Sequence, residues 1–146
     1  MIKQNFHTHT TYCDGKESAE NMILAAIEKG FSALGFSGHS YTYYDEVYCM
    51  SKEGTKAYLE EVARLREKYA DKIAIYAGVE QDFYSKEETT SFDYAIGSVH
   101  YLESAGKFYP VDESEEIFLG TVKDVFHGDF LAYAKSYFET VSQFVY

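Results

Sequence analysis

Proline occurs once in the 146 residues, and no low-complexity tract interrupts them. Together with 46% hydrophobic residues, this excludes a mostly disordered chain. Cysteine occurs twice, at Cys13 and Cys49, too few for a disulfide framework. Both are expected as reduced thiols in a cytoplasmic protein. No apolar run approaches the ~20 residues of a membrane span, and the opening "MIKQNF" lacks the apolar stretch of a signal peptide. Positive charge is scarce as well. Thirteen lysines and arginines face 24 acids, a net charge of −11. Such a chain repels nucleic-acid phosphates unless metal ions reverse the local field. The acidic stretches "DESEE" (112–116) and "KEETT" (86–90) read as solvated surface. Neither a membrane nor a nucleic acid is an expected partner.

What is present is an alternation of two periodicities. "MIKQNF" reads as a short buried strand ending at His7 and His9. "KESAENMILAAIEKGF" follows with Met22, Ile23, Ala26 and Ile27 at helical spacing, Ser18 as N-cap and Gly30 as stop. "SALGFSGHS" is a strand ending at Gly38-His39-Ser40. "SKEGTKAYLEEVARLREKYAD" is a long helix with Tyr58, Leu59, Val62 and Leu65 on one face. "KIAIYAGVEQDFY" is a strand ending in Glu80, and "SFDYAIGSVHYL" one ending in His100. The rest, from Glu113 to Tyr146, is mostly helical with a break at Gly128. This order implies parallel βα units with the helices outside the sheet, in one α/β domain over residues 1–146.

Residues with metal-binding chemistry fall at the strand ends. His7 and His9 end the first, His39 the second, Glu80 the third and His100 the fourth. In parallel α/β sheets the C-terminal strand ends carry the active site. Residues two apart on a strand share a face, so His7 and His9 can grip one ion. Zinc, iron and manganese all accept imidazole. Glu80 follows an apolar strand, where an unpaired carboxylate is expensive; an ion pair to lysine or arginine would also explain it. An isolated H-x-H and a lone His39 are equally compatible with solvent-facing or hydrogen-bonded histidines. Asp14, beside Gly15, is compatible with a turn residue. Cys13 reads as a buried or half-buried thiol, and His127, in "FHGDF", as surface.

The stretches "NFHTHTTYCDG", "GFSGHS", "AGVEQDF" and "YAIGSVHYL", in this order, resemble the first four motifs of the PHP (polymerase and histidinol phosphatase) family, in its histidinol-phosphatase branch. The resemblance covers essentially the whole chain. It implies a distorted (β/α)7 barrel, here incomplete at about four parallel strands with outer helices, holding two or three divalent ions (zinc, iron or manganese) at its C-terminal rim. By resemblance, His7, His9 and Glu80 hold the first ion, Glu80 and His100 the second, and His39 with Asp14 the third. The nucleophile is then a metal-bound water, with no separate catalytic side chain. The implied substrate is L-histidinol phosphate, in histidine biosynthesis.

Members of this branch continue beyond "YFETVSQFV" with a Gly-His motif and a late Asp-x-His motif. The chain therefore reads as the N-terminal portion of such an enzyme, without the C-terminal strands and late metal motifs. Arg64 and Arg66 both fall in the second helix, not on the rim. Impaired activity is expected, with self-association or pairing with a second polypeptide that supplies the absent half. Two other readings stay open: a catalytically incomplete metal-binding fragment or interaction module, and a PHP phosphodiesterase or nucleotide phosphatase.

Overall fold

The computed structural model describes residues 2–144; Met1, read above as the start of the first strand, and Val145 and Tyr146, read as the end of the last helix, lie outside them. The chain divides into two compact units, residues 1–81 with 85–96, and residues 82–84 with 97–146.

The first unit is a parallel sheet with two helices on it. Strand β1 is Gln4–Asn5, helix α1 is Ala19–Glu28, β2 is Ala33–His39, α2 is Lys52–Lys68, and β3 is Ala74–Asp82. Strand β4, Tyr94–Ser98, completes the sheet order β1-β2-β3-β4. The β1–β2 and β2–β3 pairs are parallel. Ser18 caps α1, its side chain accepting from Asn21 N–H, and Ser51 caps α2 through Gly54 N–H.

The two-residue period sorts each central strand into two faces. Leu34 and Phe36 of β2, and Ile75, Ala77 and Val79 of β3, pack with Ile23 and Ala26 of α1 and with Tyr58, Val62 and Leu65 of α2. The other face carries Ala33, Gly35, Ser37 and His39 on β2, and Ala74, Tyr76, Gly78 and Glu80 on β3. Small residues on that face admit the Tyr94 ring. A Cβ at Gly35 would lie 2.4 Å from the Tyr94 hydroxyl, and one at Gly78 would lie 2.2 Å from its ring. The Tyr94 hydroxyl then donates to Phe6 O at 2.6 Å and lies 3.0 Å from Phe36 O. The backbone of two neighbouring segments is thus held by one side chain.

Two expectations need correction. The opening stretch is not a buried strand: β1 has only two residues, and Ile2 to Phe6 are all exposed. It is an end strand of the sheet, and its polar run Lys3-Gln4-Asn5 suits that position. The strand of "SFDYAIGSVHYL" ends at Ser98, two residues before His100.

The second unit holds an antiparallel hairpin and two helices. Strands β5 (Tyr101–Ser104) and β6 (Lys107–Pro110) pair across Ala105 and Gly106, which take φ 51° and 77°. Helices α3 (Glu115–Val125) and α4 (Phe130–Val141) are separated at His127 and Gly128, both with positive φ, which bears out the expected break. Asp129 caps α4 with bonds from Leu131 and Ala132 N–H. Leu102, Val122 and Tyr133 form the core of this unit.

Tyr58 joins helix and sheet in the first unit. It is wholly buried, and its hydroxyl lies 3.0 Å from Phe36 O and 2.8 Å from Gly78 O. Burial, then the nearby Tyr94, Cys13 and Asp93, push its pKa above the usual 10.0; burial, then Asp93, does the same to Tyr94. A folded state that holds the proton more tightly is fully stabilised below that value and loses stability as pH rises past it. Tyr58→Phe should cost about 1–3 kcal/mol at neutral pH by removing the buried hydroxyl hydrogen bond to the strand carbonyls. It should also flatten the alkaline loss of stability, a comparison that urea unfolding at neutral and alkaline pH makes directly. Equal slopes for variant and wild type would contradict the assignment.

Candidate metal centre

The segment after β1 keeps an alternating pattern although it leaves the regular ladder. Thr8 and Thr10 are buried. Thr8 accepts the Ser37 N–H on its carbonyl at 2.8 Å, and its hydroxyl donates to Gly35 O at 2.8 Å. Thr10 O accepts from the N–H of Cys13 and of Gly15, closing the turn that presents Cys13 and Asp14. With the threonines turned in, His7 and His9 fall on the opposite side, their rings stacked at 5.4 Å and 26°.

The sheet supplies the partners. Parallel register places His39, the last residue of β2, directly beside Glu80 of β3. Glu80 Oε2 lies 2.9 Å from His7 Nε2, 3.0 Å from His9 Nε2 and 3.5 Å from His39 Nδ1. Asp14 stands on the other side of His9, 2.9 Å from its Nδ1 and 3.6 Å from His39 Nε2. The His9 and His39 rings meet edge to face at 4.4 Å. Two groups within this unit could each hold an ion: His7, His9 and Glu80, and His9, Asp14 and His39. Five of the six sequence-predicted residues thus come together in the first unit. His100 belongs to the second unit, where it stands beside Asp82 and Ser98.

The electrostatics show what the cluster lacks. The Glu80 side chain is only 6% exposed, and a buried carboxylate must be matched by positive charge. Without a metal, a proton on His9 serves. Its pKa is raised to about 11, first by the Cys13 thiol, then by Glu80, and, against the pull of burial, by Asp14. Asp14 is held below the usual carboxylate range: burial raises it, but the hydrogen bond to His9 and the charge on His39 outweigh that. Cys13 is similarly lowered, His9 and backbone hydrogen bonds overcoming burial. Two carboxyl groups and a thiol therefore surround one imidazole whose protonated form they favour. A divalent ion supplies the same charge at the same place, and imidazole nitrogens with carboxylate oxygens are its natural donors. The residues present fit a metal.

Three neighbours were not singled out in the sequence as part of the site. Cys13, read as a thiol, contributes charge through His9. Tyr48 packs its ring against His39, centroids 4.8 Å apart at 77°. Asp82, 2% exposed, accepts the His100 backbone N–H at 3.0 Å. Only Asp82 left a signal: "VEQD" puts two acids two apart on one strand. His127 is exposed, as expected.

Comparison with known proteins bears directly on this cluster. The model of the PHP domain matches residues 5–143, nearly the whole chain. The chain belongs to the PHP family. Its sequence is 32% identical over 127 residues to a probable histidinol-phosphatase of Deinococcus radiodurans, covering 78% of this chain and 49% of that protein. It is 27% identical to a probable histidinol-phosphatase of Schizosaccharomyces pombe, covering 82% of this chain and 44% of that protein. The DNA polymerase/3'-5' exonuclease PolX of Bacillus subtilis matches at 28% over 68% of this chain and 18% of its own length. Among solved structures, a candidate histidinol phosphatase of Listeria monocytogenes superposes with a TM-score of 0.68 at 26% identity, over 80% of this chain and 52% of that one. The histidinol phosphate phosphatase of Lactococcus lactis, solved with zinc, L-histidinol and phosphate, gives a TM-score of 0.58 at 20% identity over 84% of this chain and 54% of that one, a likeness of fold. The PHP chain spans about half the length of these histidinol-phosphatase relatives. Its fold is accordingly α/β, four parallel strands of an incomplete distorted barrel with outer helices. No helix among the described residues is long and apolar enough to cross a membrane.

An ion bound only by the folded state stabilises it, by about 2.7 kcal/mol at a hundredfold excess over its dissociation constant. Zinc or manganese should therefore raise the melting temperature of the metal-free chain. Replacing both His7 and His9 by alanine should remove most of the bound metal and most of that increment. Elemental analysis matching wild type would show that these nitrogens hold no ion.

Proposed function

We propose that this chain is a metal-dependent phosphoester hydrolase domain of the histidinol-phosphatase type, acting on L-histidinol phosphate and water to release L-histidinol and phosphate, as a step of histidine biosynthesis. The observation that carries this reading is the approach of three imidazoles to one oxygen of the buried Glu80 carboxylate, within a PHP chain. The two histidinol-phosphatase relatives and the zinc, L-histidinol and phosphate bound by the Lactococcus lactis protein support the choice of substrate and metal.

The roles divide by position. His7, His9 and Glu80 hold one ion, His39 and Asp14 serve another, and His100 supplies a further imidazole ligand. The mixed nitrogen and oxygen donors suit zinc, iron or manganese better than calcium. When bound, such ions neutralise phosphate charge and lower the pKa of water. The protein's own work is to fix the donors: Glu80 through the register of β3 against β2, His9 through Asp14 and Cys13. No separate nucleophilic side chain is assigned.

Turnover by this chain alone should be low. Arg64 is engaged by Glu61, and Arg66 by Asp93 and Ile75 O, so neither guanidinium of α2 is placed for a substrate phosphate. Losing one preorganised electrostatic contact typically costs ~10²–10³ in rate. The open edge of β1, with Ile2 and Phe6 exposed, is where a second copy or a second polypeptide would pair; sedimentation of a monodisperse monomer at all concentrations would remove that proposal.

The activity test is phosphate release from L-histidinol phosphate, set against a nucleotide and a phosphodiester. The expected result is slow, metal-dependent release that prefers L-histidinol phosphate and disappears in His7→Ala. A preference for the phosphodiester would favour the nucleotide-processing alternative, against which the net charge of −11 already counts. Metal binding without any hydrolysis would leave a metal-binding fragment or interaction module.

A further inference from the structure

Asp82 is a buried carboxylate that the metal assignment above does not use. It lies in the second unit and is 2% exposed. Oδ1 accepts the Tyr84 N–H at 2.9 Å. Oδ2 accepts the His100 backbone N–H at 3.0 Å and lies 3.4 Å from Nδ1 of the same residue's ring. One oxygen therefore touches both the main chain and the imidazole of His100. Across the ring, Nε2 is 3.0 Å from Ser98 Oγ. Asp82 thus bonds the backbone N–H and stands beside Nδ1, while Ser98 engages Nε2.

Metal-ligating histidines almost always donate the second ring N–H to a carboxylate, carbonyl or water, which fixes the tautomer and the ring orientation. We propose that Asp82 is a positioning residue for His100: it holds the proton on Nδ1 and ties the ring to its own backbone, so that Nε2 is presented as the ligand atom. Ser98 occupies Nε2 through its hydroxyl hydrogen until an ion replaces it. The chemistry favours this direction. Asp82 already accepts two backbone N–H groups, so hydrogen on Nδ1 would give Oδ2 a further donor, and a neutral imidazole then has its lone pair on Nε2. A serine hydroxyl can donate to that lone pair and yield it at little cost.

This inference rests on reading His100 as a metal ligand, and the experiment separates the two. Zinc is titrated into the full chain as wild type, His100→Ala, Asp82→Asn and Ser98→Ala. Long-range ¹H–¹⁵N spectra report the ring tautomer of His100. His100→Ala should lose zinc capacity. Asp82→Asn should weaken the same His100-dependent binding by ~10–100-fold and mix the tautomers, with the remaining zinc bound as in wild type. Ser98→Ala should bind as tightly as wild type or more tightly. Unchanged zinc binding in His100→Ala overturns the ligand reading itself. Loss in His100→Ala alongside wild-type affinity and tautomer in Asp82→Asn overturns the positioning role alone. Should Asp82→Asn fail to fold, the wild-type spectrum decides: hydrogen on Nδ1 with and without zinc is required, and hydrogen on Nε2 overturns the proposal. Covalent labelling of Ser98 by a fluorophosphonate would also overturn it, by showing the three residues in the order of a nucleophilic triad instead.

Discussion

The first unit is organised around a carboxylate that has been taken out of water. Glu80 has a side chain only 6% exposed, on a strand whose neighbours on either side, Val79 and Gln81, are buried or half-buried. An anion in that position is tolerable only if positive charge meets it at short range and in good geometry. Everything that brings His7, His9 and His39 to it is therefore constrained. The β2–β3 register is one such constraint. Sliding β2 by a single residue would turn His39 onto the helix-facing side and put Gly38 beside Glu80. The apolar face prevents this, because the same slip would take Leu34 and Phe36 out of the core they share with α1 and α2.

The glycine-lined face has the same origin. The histidines and Glu80 can meet only if the sheet below them is closed without bulky residues of its own. Gly35 and Gly78 leave room there, and one ring from β4, Tyr94, fills it. That ring is amphipathic, so it fills space and also bonds the carbonyls of Phe6 and Phe36. Phe6 immediately precedes His7, and the hydroxyl bond to its carbonyl anchors the irregular segment that carries His7 and His9. Core packing and ligand placement are joined through one phenol.

Much of this was legible in the sequence wherever a pattern was dense. β2 and β3 are apolar runs that reach His39 and Glu80, and both end within two residues of the expected place. Ser18 caps its helix as expected, and Tyr58, Val62 and Leu65 are buried as their spacing implied. What was illegible lacked pattern or depended on distance. β1 has two residues and no buried one, so Ile2 and Phe6 misled. The β5–β6 hairpin turns through Ala105 and Gly106, and alanine at a positive φ is not the Asn-Gly or Asp-Gly signal that marks such turns. Asp82 looked like one acid among 24, since burial and partners across 18 residues of chain cannot be read from composition.

The same electrostatics show how positive charge can meet Glu80. Three imidazoles around carboxylates would be a poor arrangement if every imidazole were neutral, because Glu80 would then be buried unmatched. Cys13, Glu80 and Asp14 raise the pKa of His9 to about 11, which favours its protonated form beside that carboxylate. A divalent ion held by these donors would supply the same positive charge. Protons and metal ions then compete for one set of lone pairs, and each ion that enters must expel protons from the ligands it takes. An ion bound there would take over the positive charge, and the backbone register that fixes Glu80 beside His39 would present it with the same carboxylate.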